Sequence, residues 1–147
     1  MKSKVYFTKE ITSESLIKIY ESLNHELKGK VAIKISTGEP GVHNFLKPNL
    51  IKDLVSKLNG TIVECCTAYA GKRMNPKTPE IADIGIFASL YQVTIDKCCY
   101  DTIMNLTEEG ANSLKKRMLD KHAIHTINEA EKLGLGTTEY ELVSIDR

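Results

Sequence analysis

The chain has 147 residues, 41% apolar and 27% charged, and its 20 Lys and Arg against 19 Asp and Glu leave a net charge of +1. A chain of this size buries roughly 70% of its unfolded surface, so a core needs no disulfide or metal to sustain it. Near-neutral charge supplies no field to gather nucleic acid or an anionic membrane, and no stretch approaches the ~18 apolar residues of a membrane span. Met1–Glu10 lacks the apolar core of a signal peptide. The cysteines form two adjacent pairs, Cys65-Cys66 and Cys98-Cys99, unlike a spaced disulfide framework. A reducing cytoplasm is the expected location.

Val5-Tyr6-Phe7 reads as a first strand, and Thr12 as the N-cap of a helix with Ile11 and Leu16 at staple positions. Leu16, Ile19, Tyr20, Leu23 and Leu27 follow the 3.6-residue period, and Gly29 stands where a C′ residue ends such a helix. Lys30–Ser36 is a β-branched second strand, expected to be covered on both faces. Pro48 opens a second helix with Leu50, Ile51, Leu54, Val55 and Leu58 on its apolar face, and Asn59-Gly60 closes it. Thr61–Cys66 is a third strand. Residues Thr67–Glu80 carry two prolines, a glycine and no periodicity, marking the junction between an N-terminal part, 1–73, and a C-terminal part, 79–147, of a single domain.

Ile81–Ala88 is a fourth strand. Tyr91, Ile95, Cys98, Cys99, Thr102, Ile103 and Leu106 then take helical spacing. A further helical region runs from about Asn112 to Leu133, with a break near His122, and stops at Gly134 and Gly136. Tyr140–Ile145 is a last strand. The alternation predicts an α/β fold: an open, mainly parallel sheet with helices on both faces, a three-layer α/β/α arrangement.

Open α/β sheets bind ligands beyond the carboxyl ends of their strands. Two long connections leave that edge, and long loops are commonly functional. One offers Ser36, Thr37, Gly38, Glu39, His43 and Asn44; the other offers Thr67, Tyr69, Lys72 and Arg73. Their convergence is the expected site, against the blander reading of two solvated loops. Lys34 and Glu64 each stand fourth in their strands, so equal register would bring them face to face. A charge inside a β-branched strand is costly unless paired or functional. They therefore read as an ion pair, or as a lysine or carboxylate that handles a proton.

Other motifs favour structure over chemistry. The Gly38–Gly41 turn lacks the Lys-Ser/Thr ending of a P-loop and the spacing of a dinucleotide fingerprint. Cys98 and Cys99 lie on an apolar stripe and read as core. Cys66, at the end of its strand, is the one cysteine placed as a nucleophile. His122 and His125 share a helix face, but no further ligands complete a zinc site, so no metal is expected.

VYFTKEITSESLIKIYESL, KGKVAIKISTGEPGVHNFLKPNLIKDLV and NGTIVECCTAYAGKR resemble the opening of the uncharacterised Fe–S centre proteins, within the family named domain of unknown function 362. ADIGIFASLYQVTIDKCCYD and AIHTINEAEKLGLGTTEYELVSID resemble the end of the same proteins. Longer members carry a central segment, often with ferredoxin-type cysteine motifs, where this chain passes from Lys72-Arg73 through Met74–Thr78 to its C-terminal block. The resemblance thus implies an Fe–S-associated family, a shortened chain and no cluster of its own. Matching positions include Lys34, Ser36, Thr37, Gly38, Glu39, Pro40, Gly41, His43, Asn44, Glu64, Thr67, Tyr69, Lys72, Arg73, Asp96 and His125.

The leading expectation is a domain binding a small anionic ligand at the strand ends. Ser36, Thr37 and Asn44 would orient it, and Lys72 and Arg73 would neutralise it. Two alternatives stand beside it. One is an enzyme acting on a small carbonyl or carboxylate substrate, with Glu64 or His43 as general base. The other is a homo-oligomeric interaction scaffold.

Overall fold

A computed structural model describes residues 2–35, 46–64 and 80–146. The chain divides into two compact units, one made of Met1–Glu10 and Glu80–Arg147, the other of Ile11–Pro79. Helices and small sheets occur in both, so the class is α/β.

In the first unit, β1 (Ser3–Thr8) is the central strand of a three-stranded sheet, flanked by β4 (Ile86–Ala88) and β5 (Tyr140–Ser144). β5 runs parallel to β1, pairing Ser3 with Tyr140 and Phe7 with Ser144, whereas β4 runs antiparallel, pairing Thr8 with Ile86. The central position explains why Val5 and Thr8 are fully buried. The expected fourth strand, Ile81–Ala88, is cut to three residues by close packing at Gly85. A Cβ there would lie 2.3 Å from the Thr8 carbonyl oxygen and 2.6 Å from the Phe7 ring. Beyond that point Phe87 packs on Phe7, with ring centroids 4.7 Å apart.

α3 (Gln92–Asn105) packs against all three strands, and α4 (Ala111–Asp120) and α5 (Ala123–Lys132) pack on α3 and on each other. Val93, Cys98, Ala111 and Ile127 fill this core with Val5. The break between α4 and α5 falls at His122, whose left-handed backbone (φ 51°) no helix continues through. Its imidazole stacks on that of His125 at 5.2 Å. Gly134, at φ +74°, ends α5.

In the second unit, β2 (Val31–Ile35) and β3 (Gly60–Glu64) form a parallel pair, and α1 (Ser13–Ser22) packs on α2 (Pro48–Lys57). Thr12 caps α1 through a reciprocal capping box with Ser15. The helix stops at Ser22, not at Gly29, because Asn24 takes the left-handed conformation (φ 48°) that Asn tolerates best after Gly. His25 and Leu27 consequently lie outside it. Pro48 sits in the first turn of α2, where its missing N–H costs nothing. Ser13 donates to Asp53 at 2.6 Å and Lys57 pairs with Glu21 at 2.7 Å, so the two helices run side by side in the same sense.

Two-sided coverage of the second strand is not what the structure shows. Ala32 and Lys34 alternate with half-buried neighbours, and Ile62 and Val63 on β3 are 44% and 49% exposed. A continuous β-branched run carries no information about whether both faces find a cover.

Candidate functional site

Parallel pairing in the second unit aligns Val31 with Gly60 and runs without interruption to Ile35 and Glu64. The last residues of β2 and β3 are thus direct neighbours at the same carboxyl edge, about 4.8 Å apart across the ladder. β2 and β3 both end at this shared edge. Ser36, Thr37, Gly38, Glu39, His43 and Asn44 lie outside the described residues, as do Cys65, Cys66, Thr67, Tyr69, Lys72 and Arg73.

The expected pairing of Lys34 with Glu64 is corrected by the register. Lys34 is opposite Val63, and Glu64 is opposite Ile35. β3 begins one residue earlier than the pattern of apolar residues indicated, at Gly60, and that single residue removes the cross-strand partnership. A Cβ on Gly60 would lie 2.5 Å from the end of the Ile33 side chain, which would have to turn aside. Lys34 is exposed, so the burial cost that motivated a paired or proton-handling lysine does not arise. It stands one residue from the strand end as a solvated positive charge.

A second polar cluster, on the first unit, went unread in the sequence. Lys97 donates from its ammonium to both carboxylate oxygens of Asp101 at 2.6 Å, one turn apart on α3. The Tyr140 hydroxyl, from β5, donates to the same carboxylate at 3.0 Å. Burial, and then the adjacent Asp101, hold the Tyr140 phenol well above its usual range. Thr94 donates to the Thr137 carbonyl at 2.8 Å, tying α3 to the approach to β5 a second time. The i, i+4 spacing of Lys97 and Asp101 is a signal that could have found the ion pair; nothing local points to the phenol 39 positions away.

Beneath this cluster, Cys98 is fully buried and Cys99 half-buried. Burial pushes both thiols up, and for Cys99 the neighbouring Cys98 adds to the effect. Both are packing groups, poor nucleophiles at neutral pH. Among the described residues, no group of three or more His, Cys, Asp or Glu side chains is placed to hold a metal ion. No described helix is long and apolar enough to cross a membrane.

A third constellation closes the sheet. Asp146, just past β5, accepts from the Thr8 hydroxyl at 2.5 Å and from the Lys9 N–H at 3.0 Å. The Thr8 hydroxyl oxygen in turn accepts from the Glu10 N–H at 3.1 Å. These bonds lower the Asp146 pKa, Thr8 contributing most.

The described residues define an α/β protein in which one parallel strand pair ends in register at Ile35 and Glu64. No protein-family model, curated protein or solved structure matches the chain.

Proposed function

We propose that this chain is a cytoplasmic ligand-binding α/β domain of the Fe–S-associated family it resembles. It would take a small anionic ligand at the carboxyl ends of β2 and β3. The observation supporting this is the uninterrupted parallel register that makes Ile35 and Glu64 neighbours at one edge. In this reading Ser36, Thr37, Gly38, Glu39 and Asn44 orient the ligand through hydroxyl, amide and backbone groups. Thr67 and Tyr69 contribute from the second connection, and Lys72 and Arg73 neutralise the anion. Lys34 adds a solvated positive charge close to the same edge, at a position opposite Val63. The finer architecture proposed with it is an open parallel sheet in the second unit, supported by the parallel β2–β3 pair and the βαβ order of β2, α2 and β3.

Isothermal titration with inorganic phosphate and with succinate tests this reading. Arg73→Ala is expected to weaken binding by roughly tenfold, the value of one charge-assisted hydrogen bond. Lys34→Met should weaken it less, its charge being screened by solvent. Variants that match wild type against both anions would sink the proposal.

One observation favours a second reading, an oligomeric scaffold. Ile62 and Val63 are consecutive in β3 and both about half exposed, so apolar surface remains on a short strand pair. Sedimentation equilibrium finding only monomer across a wide concentration range would remove this reading.

A further inference from the structure

Residues 11–79 leave and re-enter the first unit at a single edge of its sheet. β1 ends at Thr8, β4 begins at Ile86, and these two residues are partners in an antiparallel pair. Antiparallel neighbours are ordinarily joined by a short hairpin connection. Here the connection carries the whole second unit.

Both ends of that excursion are fixed on the first unit by carboxylate hydrogen bonds from distant elements. At the exit, Asp146 accepts from Thr8 and Lys9. At the return, Glu80 accepts from the Ser113 hydroxyl, and Gly110 lies so close beneath the Glu80 carbonyl that a Cβ would overlap it. The ladder β4-β1-β5 is made wholly of first-unit strands and the ladder β2-β3 wholly of second-unit strands. Each unit thus satisfies its own strand pairing.

Among the described residues, the two units differ in which apolar side chains they bury. Val5, Val93, Cys98, Ala111 and Ile127 are buried in the first, whereas Ile19 is the buried apolar residue of the second among the described residues. Segments with few buried apolar contacts open at lower free energy than the global unfolding reaction. We propose that residues 11–79 are an insertion in the β1–β4 hairpin that opens and recloses as one block while the β4-β1-β5 sheet and α3–α5 stay folded. The proposal is independent of any ligand reading.

Native-state hydrogen exchange on the full chain, followed by mass spectrometry, tests it. Peptides covering 31–35 and 60–64 should exchange through a common opening, faster than peptides covering 3–8 and 140–144. Ile19→Ala should accelerate the first set by roughly 30-fold or more, from the loss of a buried isoleucine, and leave the second set unchanged. Thr12→Ala, a gentler change that removes the α1 cap, should do the same by roughly fivefold. Either variant accelerating both sets by a common factor would show one cooperative fold and overturn the proposal. Unchanged exchange in the first set would overturn it equally.

Discussion

Asp146 accepts from Thr8 and Lys9, and a carboxylate held by such donors ionises more readily than a free one. Its folded pKa is lowered, so it stabilises the fold above the ordinary carboxylate range, and that contribution is lost as pH falls through the depressed value. Asp146→Asn should therefore lower the urea midpoint at neutral pH. The gap to wild type should close as pH drops below the ordinary Asp value of about 3.9. A gap that stays constant with pH would contradict the assignment. At Tyr140, removing the hydroxyl leaves Asp101 with Lys97 as its remaining side-chain donor among the described residues. Tyr140→Phe should cost about 1 kcal/mol in urea unfolding, as for a partly exposed hydrogen bond. The buried thiols give a kinetic counterpart. In a Cys65→Ser, Cys66→Ser background, a thiol reagent at pH 8 should label Cys98 and Cys99 at least about tenfold more slowly in the native than in the unfolded protein.

At the scale of elements, two glycines with positive φ separate backbone strain from steric overlap. Gly134 has open space where a Cβ would stand, so Gly134→Ala should cost about 1 kcal/mol, the penalty of the left-handed conformation alone. Gly85 faces Thr8 and Phe7 at under 3 Å, so Gly85→Ala should cost about 2–3 kcal/mol more as β4 is pushed from β1. Comparison of thermal unfolding midpoints checks the ranking, and equal losses would contradict the packing of β4 on β1. Local signals of this kind were the legible part of the sequence. Thr12, Pro48 and Asn59 mark helix ends through chemistry confined to one turn, and the α4–α5 break at His122 shows where apolar periodicity falters. Asn24 is the weaker C′ signal because Gly29, which adopts the left-handed conformation at no steric cost, follows it with Leu27 still in the apolar spacing. The Lys34–Glu64 pairing failed for a different reason: register depends on where both strands start, and Gly60 belongs to β3, not to the turn before it.

At the scale of the molecule, sequence order and spatial order part company. The first and last strands pair in parallel although Ser3 and Tyr140 stand at opposite ends of the chain, and β4 returns antiparallel to β1 after a whole intervening unit. Alternating strands and helices announced the α/β class, but pairing partners depend on long-range contacts that no local pattern encodes. The candidate edge was partly legible: the rule that ligands gather beyond strand carboxyl ends selected the connections after β2 and β3, and those strands do lie side by side. Amide NMR spectra of the uniformly labelled chain, recorded as inorganic phosphate is added, test that edge most directly. Saturable shifts concentrated at Ile35 and Glu64, with the amides of β1 and β5 unmoved, are the predicted result. Shifts confined to the lysines of α4, or no saturable shift anywhere, would contradict it.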